Sequence, residues 1–413
     1  MATFIDALRT GSWLTRERTR LIAFAVLFAS SVGLAFILAT SNGLNDYQGR
    51  PLGTDFSNVY AAGTYVLDGK ANAPFDPPQQ FEREKQIFGA NTQFYGWHYP
   101  PFFLFVAALL ALMPYALALA VWQGVTFAIY LFAMRSVLPS SLRNDGRLWL
   151  LFAVAFPAVF VNIGHGHNGF LTASLIALAL VHLGTRPILS GILFGLLAYK
   201  PQFGLLIPLA LVAGGHWRAI ASAAATVAAL ALVTTAAFGA DIWSAFLAST
   251  HFTRVVVLEQ GDTGWHKIQS IFSWARMWGS SIPLAYAIQG AATLAVAASL
   301  AWLWRSSASF ALKAAALVIG VLLATPYSLD YDFVILAPAI AFLAADGFSR
   351  GFLRWEKSAL ALLWLMPLIA RSVAQQAMIP LGVMAMLILF ILILRRAAHG
   401  LGLRVSRVTS SAT

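Results

Sequence analysis

The chain predicts an all-α fold, a polytopic transmembrane helical bundle of the kind in which every backbone polar group is paired inside its own helix. Three observations predict it. Hydrophobic residues make up 59% of the 413 and charged residues only 10%, and a mean hydropathy of +0.74 lies outside the range of water-soluble domains. Apolar runs near the roughly 17–25 residues needed to cross a hydrocarbon core of about 30 Å recur about a dozen times. These runs are rich in Ala and Leu and lack the two-residue alternation of a membrane barrel, so helices satisfy their backbone.

The first element is the run 21–40, preceded by Arg9, Arg16, Arg18 and Arg20. It is long and has no convincing small-x-small cleavage site, so it reads as a retained anchor rather than a secretory leader. A polar first external loop, residues 42–98, follows. Within it Val59, Ala62, Tyr65 and Val66 recur at helical spacing and Gln79–Ile87 predicts a second short helix. Both are expected to lie flat at the interface, with Tyr60, Tyr65, Phe75, Phe81 and Trp97 at headgroup depth.

Residues 101–113 extend only about 20 Å as a helix and are expected to dip into the bilayer. Spans are then predicted at 115–137, 148–163, 169–184, 187–199, 201–214 and 218–239. A large external loop covers 240–282, and further spans follow at 283–304, 311–325, 331–345, 358–373 and 379–395. The total is about 12, or 11 to 13 depending on whether 101–113 crosses.

Basic loops favour the cytoplasm. That rule places inside the N-terminus (1–20), the loop with Arg135, Arg143 and Arg147, the loop with Arg350, Arg354 and Lys357, and the tail 396–413, entered through Arg395 and Arg396 and carrying Arg404 and Arg407. Both termini are then cytoplasmic. No linker and no fixed-period repeat divides residues 1–413, so they read as a single membrane domain. With no cysteine, disulfides and thiolate chemistry are excluded. The net charge of +11 is dispersed over short loops and both ends, which excludes a nucleic-acid stripe.

The same topology gathers four polar clusters on one external side: the Asp55 loop, Gly164-His165-Gly166-His167-Asn168, Tyr199-Lys200-Pro201-Gln202, and the Thr325–Asp332 stretch. The 240–282 loop, with Arg254 and Lys267, joins them. Ionisable groups collected at one face point to a site. Asp55 reads either as a helix N-cap bonding Ser57 or Asn58 or as a general base for an acceptor hydroxyl. Lys200 is either a snorkelling lysine or a point charge for a lipid-borne phosphate. His165 and His167 flank a flexible Gly166 and can bond a sugar hydroxyl or a phosphate, or hold a metal if Asp330 and Asp332 meet them. Those two carboxylates, beside Tyr327 and Tyr331, otherwise read as groups favoured by a helix N-terminus. His98 and Tyr99, braced by Pro100-Pro101, can present rings to a site.

Several of these residues together form a recognisable order. Gly53-x-Asp55-Phe56-x-x-x-Tyr60, Tyr99-Pro100-Pro101, Gly164-x-x-x-Asn168, Lys200-Pro201 and Pro326-Tyr327-Ser328-x-Asp330 resemble glycosyltransferase family 87, over about residues 50 to 345. That family is similar to the polyprenol-phosphate-mannose-dependent α-1,2-mannosyltransferases of the GT-C superfamily. Where related proteins more often show Gly-Gln-x-Asn, this chain has His165 and His167 before Asn168.

The resemblance implies a GT-C-like fold in a bacterial inner membrane, with its active site at the periplasmic face. It implies a polyprenyl-phosphate-linked sugar donor, transfer of a hexose, mannose by the resemblance, to a glycolipid or glycan acceptor, and no metal or other cofactor. Asp55 is the implied catalytic base of an inverting displacement. Lys200, His165, His167, Arg254 and Lys267 are candidate partners of the donor phosphate. His98, Tyr99, Asn168, Gln202, Tyr327, Asp330 and Asp332 are candidate readers of sugar or acceptor. The competing readings are a lipid or sugar transporter, which would share the intramembrane polar groups but for which no inverted repeat is seen, and a polysaccharide polymerase or ligase.

Overall fold

A computed structural model of the chain describes residues 2–144 and 148–410. Of the basic residues behind the expected topology, Arg147 lies outside them, as do the side chains of Arg404 and Arg407. The described residues are all-helical; their extended structure amounts to isolated bridges such as Ile268 to Leu329.

Six helices are long and apolar enough to cross a membrane. They include α1 (Arg16–Ala39), which starts where the Thr15 hydroxyl accepts from Arg18 N. Of its side chains only Ala23 and Val26 are buried within the protein. Two further expected spans are bent pairs, Leu148–Val154 with Pro157–His165 at 44° and Glu356–Leu368 with Ala370–Ala377 at 73°. Eight spans result if each bent pair counts as one, and the other expected spans are apolar helices of 10–17 residues. Within the expected span 358–373 the chain turns through the 3₁₀ segment Met366–Leu368 around Pro367, which cannot donate an interior helical hydrogen bond. The expected dip is the short helical segment Pro101–Ala111.

The helix Phe310–Ala324 is buried on every side, from Leu312 and Ala314 through Ala324, and it forms the centre of the bundle. An apolar helix without a polar face suits such a position, as it suits one facing lipid. The long helix Leu381–Ser410 closes against it. Midway along that helix Arg396, expected in the cytoplasmic tail, is instead buried: its Nε donates to Asp346 Oδ2 and its Nη1 to Glu356 Oε2, both at 2.7 Å. A desolvated guanidinium requires such carboxylates.

Residues 42–98 form an ordered unit around two packed helices. Helix α2 (Thr54–Leu67) packs on the 101–111 segment and on α3 (Pro77–Phe88), whose start is capped by Asp76 accepting from Gln79 N. Tyr65, Phe75 and Trp97, expected at headgroup depth, are buried in protein, and Phe75 meets Trp97 edge-on. Edge-to-face ring pairs add to the burial of their apolar area.

Candidate active site

Asp55 occupies the second position of α2, not the cap. The cap is Gly53, in the left-handed conformation at φ 69°. The amide of Ser57 bonds Gly53 O, so the reading of Asp55 as an N-cap is corrected. Asp55 Oδ2 is buried and has no hydrogen-bond partner among the described residues; its nearest ionic neighbour is His165 Nδ1 at 3.7 Å. Burial raises the carboxyl above its ordinary range; the charge of His165 opposes the shift, that of Asp330 adds to it, and Lys200 and Asp332 act more weakly.

The His165 to Asn168 turn reaches Asp55 because two glycines meet back to back. Gly166, at φ 62°, ends α4 (Pro157–His165), and a Cβ there would stand 3.0 Å from Gly53 Cα and 2.7 Å from Phe56 Cβ. The turn is fastened by Asn162 Oδ1 accepting from Gly169 N at 2.8 Å, and by Trp122 and Gln123 donating to Gly166 O and His167 O. His165 Nδ1 also lies 2.7 Å from Thr54 Oγ1, beside the carboxylate. Gly166→Ala is expected to cost about 1–2 kcal/mol from the left-handed backbone alone, and more through the crowding of Phe56. The change is to be read as a lowered Tm; an unchanged Tm would show that the two helices part without penalty.

Lys200 sits in the break between the 3₁₀ turns Leu197–Tyr199 and Pro201–Gly204, with Gln202 half-buried two residues on. It is 4% exposed, donates to Asp332 Oδ1 at 2.7 Å and lies 3.5 Å from His167 Nε2. Asp332 also accepts from Leu329 N through Oδ2 at 3.0 Å, so one carboxylate both fixes a turn and neutralises the lysine. His167 stacks on Tyr331 with ring centroids 3.6 Å apart. Burial, and then the Lys200 charge, hold its ring well below the ordinary histidine range, leaving it neutral.

The 240–282 loop enters through backbone pairing. Asp330 N donates to Lys267 O at 3.1 Å and Gln269 N to Ser328 O at 2.6 Å. Asp330 Oδ2 is met by Arg371 Nη1 at 3.3 Å. Arg371 escaped the sequence reading although an arginine inside the apolar run 358–373 was itself a visible signal; the bend at Pro367 is what delivers it here. Tyr99 and Tyr327 complete the wall: burial raises both phenols, and the charge of Asp55 adds to the shift.

Thus Asp55, Tyr99, His165, His167, Asn168, Lys200, Lys267, Tyr327, Asp330 and Asp332 belong to one connected cluster. The remaining assignments separate from it. Arg254 pairs with Glu259 at 3.7 Å and His251 at 3.2 Å. His98 is held by Thr253 Oγ1 at 2.8 Å, and burial lowers its pKa to about 4. The loop 95–99 that carries His98 and Tyr99 rests on Glu84, fully buried, whose Oε2 and Oε1 accept from Tyr95 N and Gly96 N at 2.9 and 3.0 Å. Burial lifts this carboxyl to about 7.

Four buried atoms in the cluster have no hydrogen-bond partner among the described residues: Asp55 Oδ2, His167 Nδ1, Asn168 Oδ1 and Ser328 Oγ. Buried polar groups are ordinarily paired, and several left unpaired in one place suit a hydroxyl-rich ligand. Among the described residues no three His, Cys, Asp or Glu side chains assemble a metal-binding set; His167 and Asp332 both turn to Lys200 instead.

The family model of glycosyltransferase family 87 matches residues 97–326, a narrower stretch than the 50–345 expected from the motifs. No curated protein and no solved structure matches the chain. Because the match covers more than half of the 413 residues, this helical membrane protein belongs to glycosyltransferase family 87.

Proposed function

We propose that this glycosyltransferase moves a hexose, mannose by family resemblance, from a polyprenyl-phosphate carrier to a hydroxyl of a glycolipid or glycan acceptor. The reaction takes place at the periplasmic face of a bacterial inner membrane, with both termini of the chain in the cytoplasm. The observation that carries the reading is the buried, unpartnered Asp55 Oδ2 at the centre of the polar cluster.

The displacement is a single inverting step. Asp55 takes the proton of the acceptor hydroxyl as that oxygen forms its bond to the anomeric carbon. The bond from that carbon to the phosphate oxygen breaks, and polyprenyl phosphate leaves with the electron pair. A carboxyl with a raised pKa is a stronger base once ionised, which suits the task. Asn168, Tyr99, Tyr327 and Ser328 are placed to read sugar hydroxyls, and His165, 2.7 Å from Thr54 Oγ1, orients the segment that carries the base.

The phosphate falls to the side of the cluster that carries the Lys267 cation, with the neutral ring of His167 and the Asp332-paired Lys200 beside it. Lys200, neutralised by Asp332, shapes this wall rather than adding net charge. Charge is met by fixed cations and donors, so the step requires no metal. Arg254 and His98 act outside the reacting centre, and the transporter alternative has no comparable support from the family match.

The test is transfer of radiolabelled hexose from a short-chain polyprenyl-phosphate hexose by purified protein, in the presence and absence of chelator. Chelator-insensitive formation of a labelled product with inverted anomeric configuration is expected. Uptake of labelled solute into proteoliposomes without consumption of the lipid-linked sugar would overturn the reading.

A further inference from the structure

Asp330 does not stand free to read a sugar: one of its oxygens accepts from Tyr331 N at 3.0 Å and the other meets Arg371 at 3.3 Å. Only Nη1 of that guanidinium has a hydrogen bond among the described residues, and the side chain is 37% exposed. Arg371 lies in the first turn of the helix Ala370–Ala377, where unpaired amides add partial positive charge. Lys267 is joined to the same place by its own carbonyl, which accepts from Asp330 N, and its ammonium forms no ion pair among the described residues. His266 borders both cations, whose charges, together with burial, lower its pKa.

Charge accounting separates these groups from the others. Lys200 is cancelled by Asp332 at 2.7 Å in a site 4% exposed. Arg371 is held by a single contact to Asp330, and Lys267 has no anion of its own. Lys267 is also close enough to Asp55 to feel its charge. Lys267 and Arg371 are thus joined through Asp330, which accepts the guanidinium by its side chain and donates its amide to the Lys267 carbonyl, in the same polar cluster as the base.

We propose that Lys267 and Arg371 form the site that grips the phosphate of the lipid-borne donor, with Asp330 as the positioning residue that aims the guanidinium. This assignment rests on the function proposed above and moves the principal phosphate contact from Lys200 to a pair drawn from the large external loop and the broken span. The guanidinium offers two parallel donors to phosphate oxygens and the ammonium a point charge. As the sugar leaves, the same two groups stabilise the growing negative charge on the phosphate.

The test is equilibrium binding by the purified full-length protein, reconstituted in nanodiscs, of short-chain polyprenyl phosphate, the corresponding neutral polyprenol and inorganic phosphate. Wild type is compared with Lys267→Gln, Arg371→Gln and Arg371→Lys, each checked for an unchanged elution profile and Tm. Hydrogen bonds to charged groups predict a loss of polyprenyl-phosphate affinity of roughly 10–100-fold for either Gln variant. Arg371→Lys should recover part of it, and binding of the neutral alcohol should be unaffected. If Arg371→Gln does not fold, the half-buried Lys267 still carries the test. Wild-type affinity in both Gln variants would overturn the proposal, as would inorganic phosphate binding as tightly as the lipid, which would make this a site for free phosphate. Failure of the underlying functional reading looks different: cation-dependent binding of the lipid would persist while the wild-type protein transfers no sugar.

Discussion

Asp55→Asn is expected to reduce sugar transfer by roughly 10²–10⁴-fold, the usual contribution of a positioned general base, while leaving the protein folded. The amide keeps the shape of the carboxylate but cannot take a proton from the acceptor. The sign of the stability effect distinguishes a catalytic from a structural role. Burial raises the folded-state pKa of Asp55 above its unfolded value. The fold therefore prefers the protonated acid, and the associated stability is present below the unfolded pKa and lost as pH rises through the folded one. At neutral pH the neutral amide should hold the Tm or raise it. In the wild type, kcat/KM should fall as the pH drops through an acid limb displaced above the ordinary carboxylate range, and this limb should disappear from the residual activity of the variant. A matching fall in Tm and activity, or normal turnover by Asp55→Asn, would remove this carboxylate from the chemistry.

The second large effect is at Lys200. Its ammonium and the Asp332 carboxylate are 2.7 Å apart and almost completely enclosed, so Lys200→Met strands a negative charge in a dry setting. Breaking a buried pair in this way costs about 3–5 kcal/mol. Asp332→Asn should be comparably harmful, because it weakens the acceptor for Leu329 N as well as the pair. The double replacement should cost clearly less than the two single ones summed, since neither charge is then left alone. Denaturation of all four proteins in one detergent measures the coupling. Strict additivity would mean that the two groups stabilise the fold independently.

The helical membrane class was legible because composition and run length decide it: no other arrangement satisfies the backbone of 311–325 or 283–304 in lipid. The convergence of Asp55, His165, Lys200 and Asp332 was legible too, since charge bias alone put their clusters on one side. What escaped were features set by partners distant in sequence. Nothing local to Asp55 shows that Gly53 will take the cap and leave the carboxylate bare. Nothing local to Lys200 reveals a mate 132 positions away. The break at Pro367 was within reach, because a proline and an arginine four residues apart in an apolar run argue against a straight span. Arg396, by contrast, looked like any other tail cation until Asp346 and Glu356 closed on it.

The chain order of the cluster bears on how the enzyme is made. Its members come from α2, the turn after α4, the break at Lys200, the Lys267 loop, the Asp330 turn and Arg371, so they emerge from the ribosome at widely separated times. Early helices must enter the bilayer while Asp55 still lacks its neighbours, and Lys200 waits through much of translation for its counter-ion. Truncations that end before the Met366 bend should therefore yield inserted but catalytically silent protein, and Lys200 at its helix break reaches toward water while its neutralising partner has yet to be synthesised.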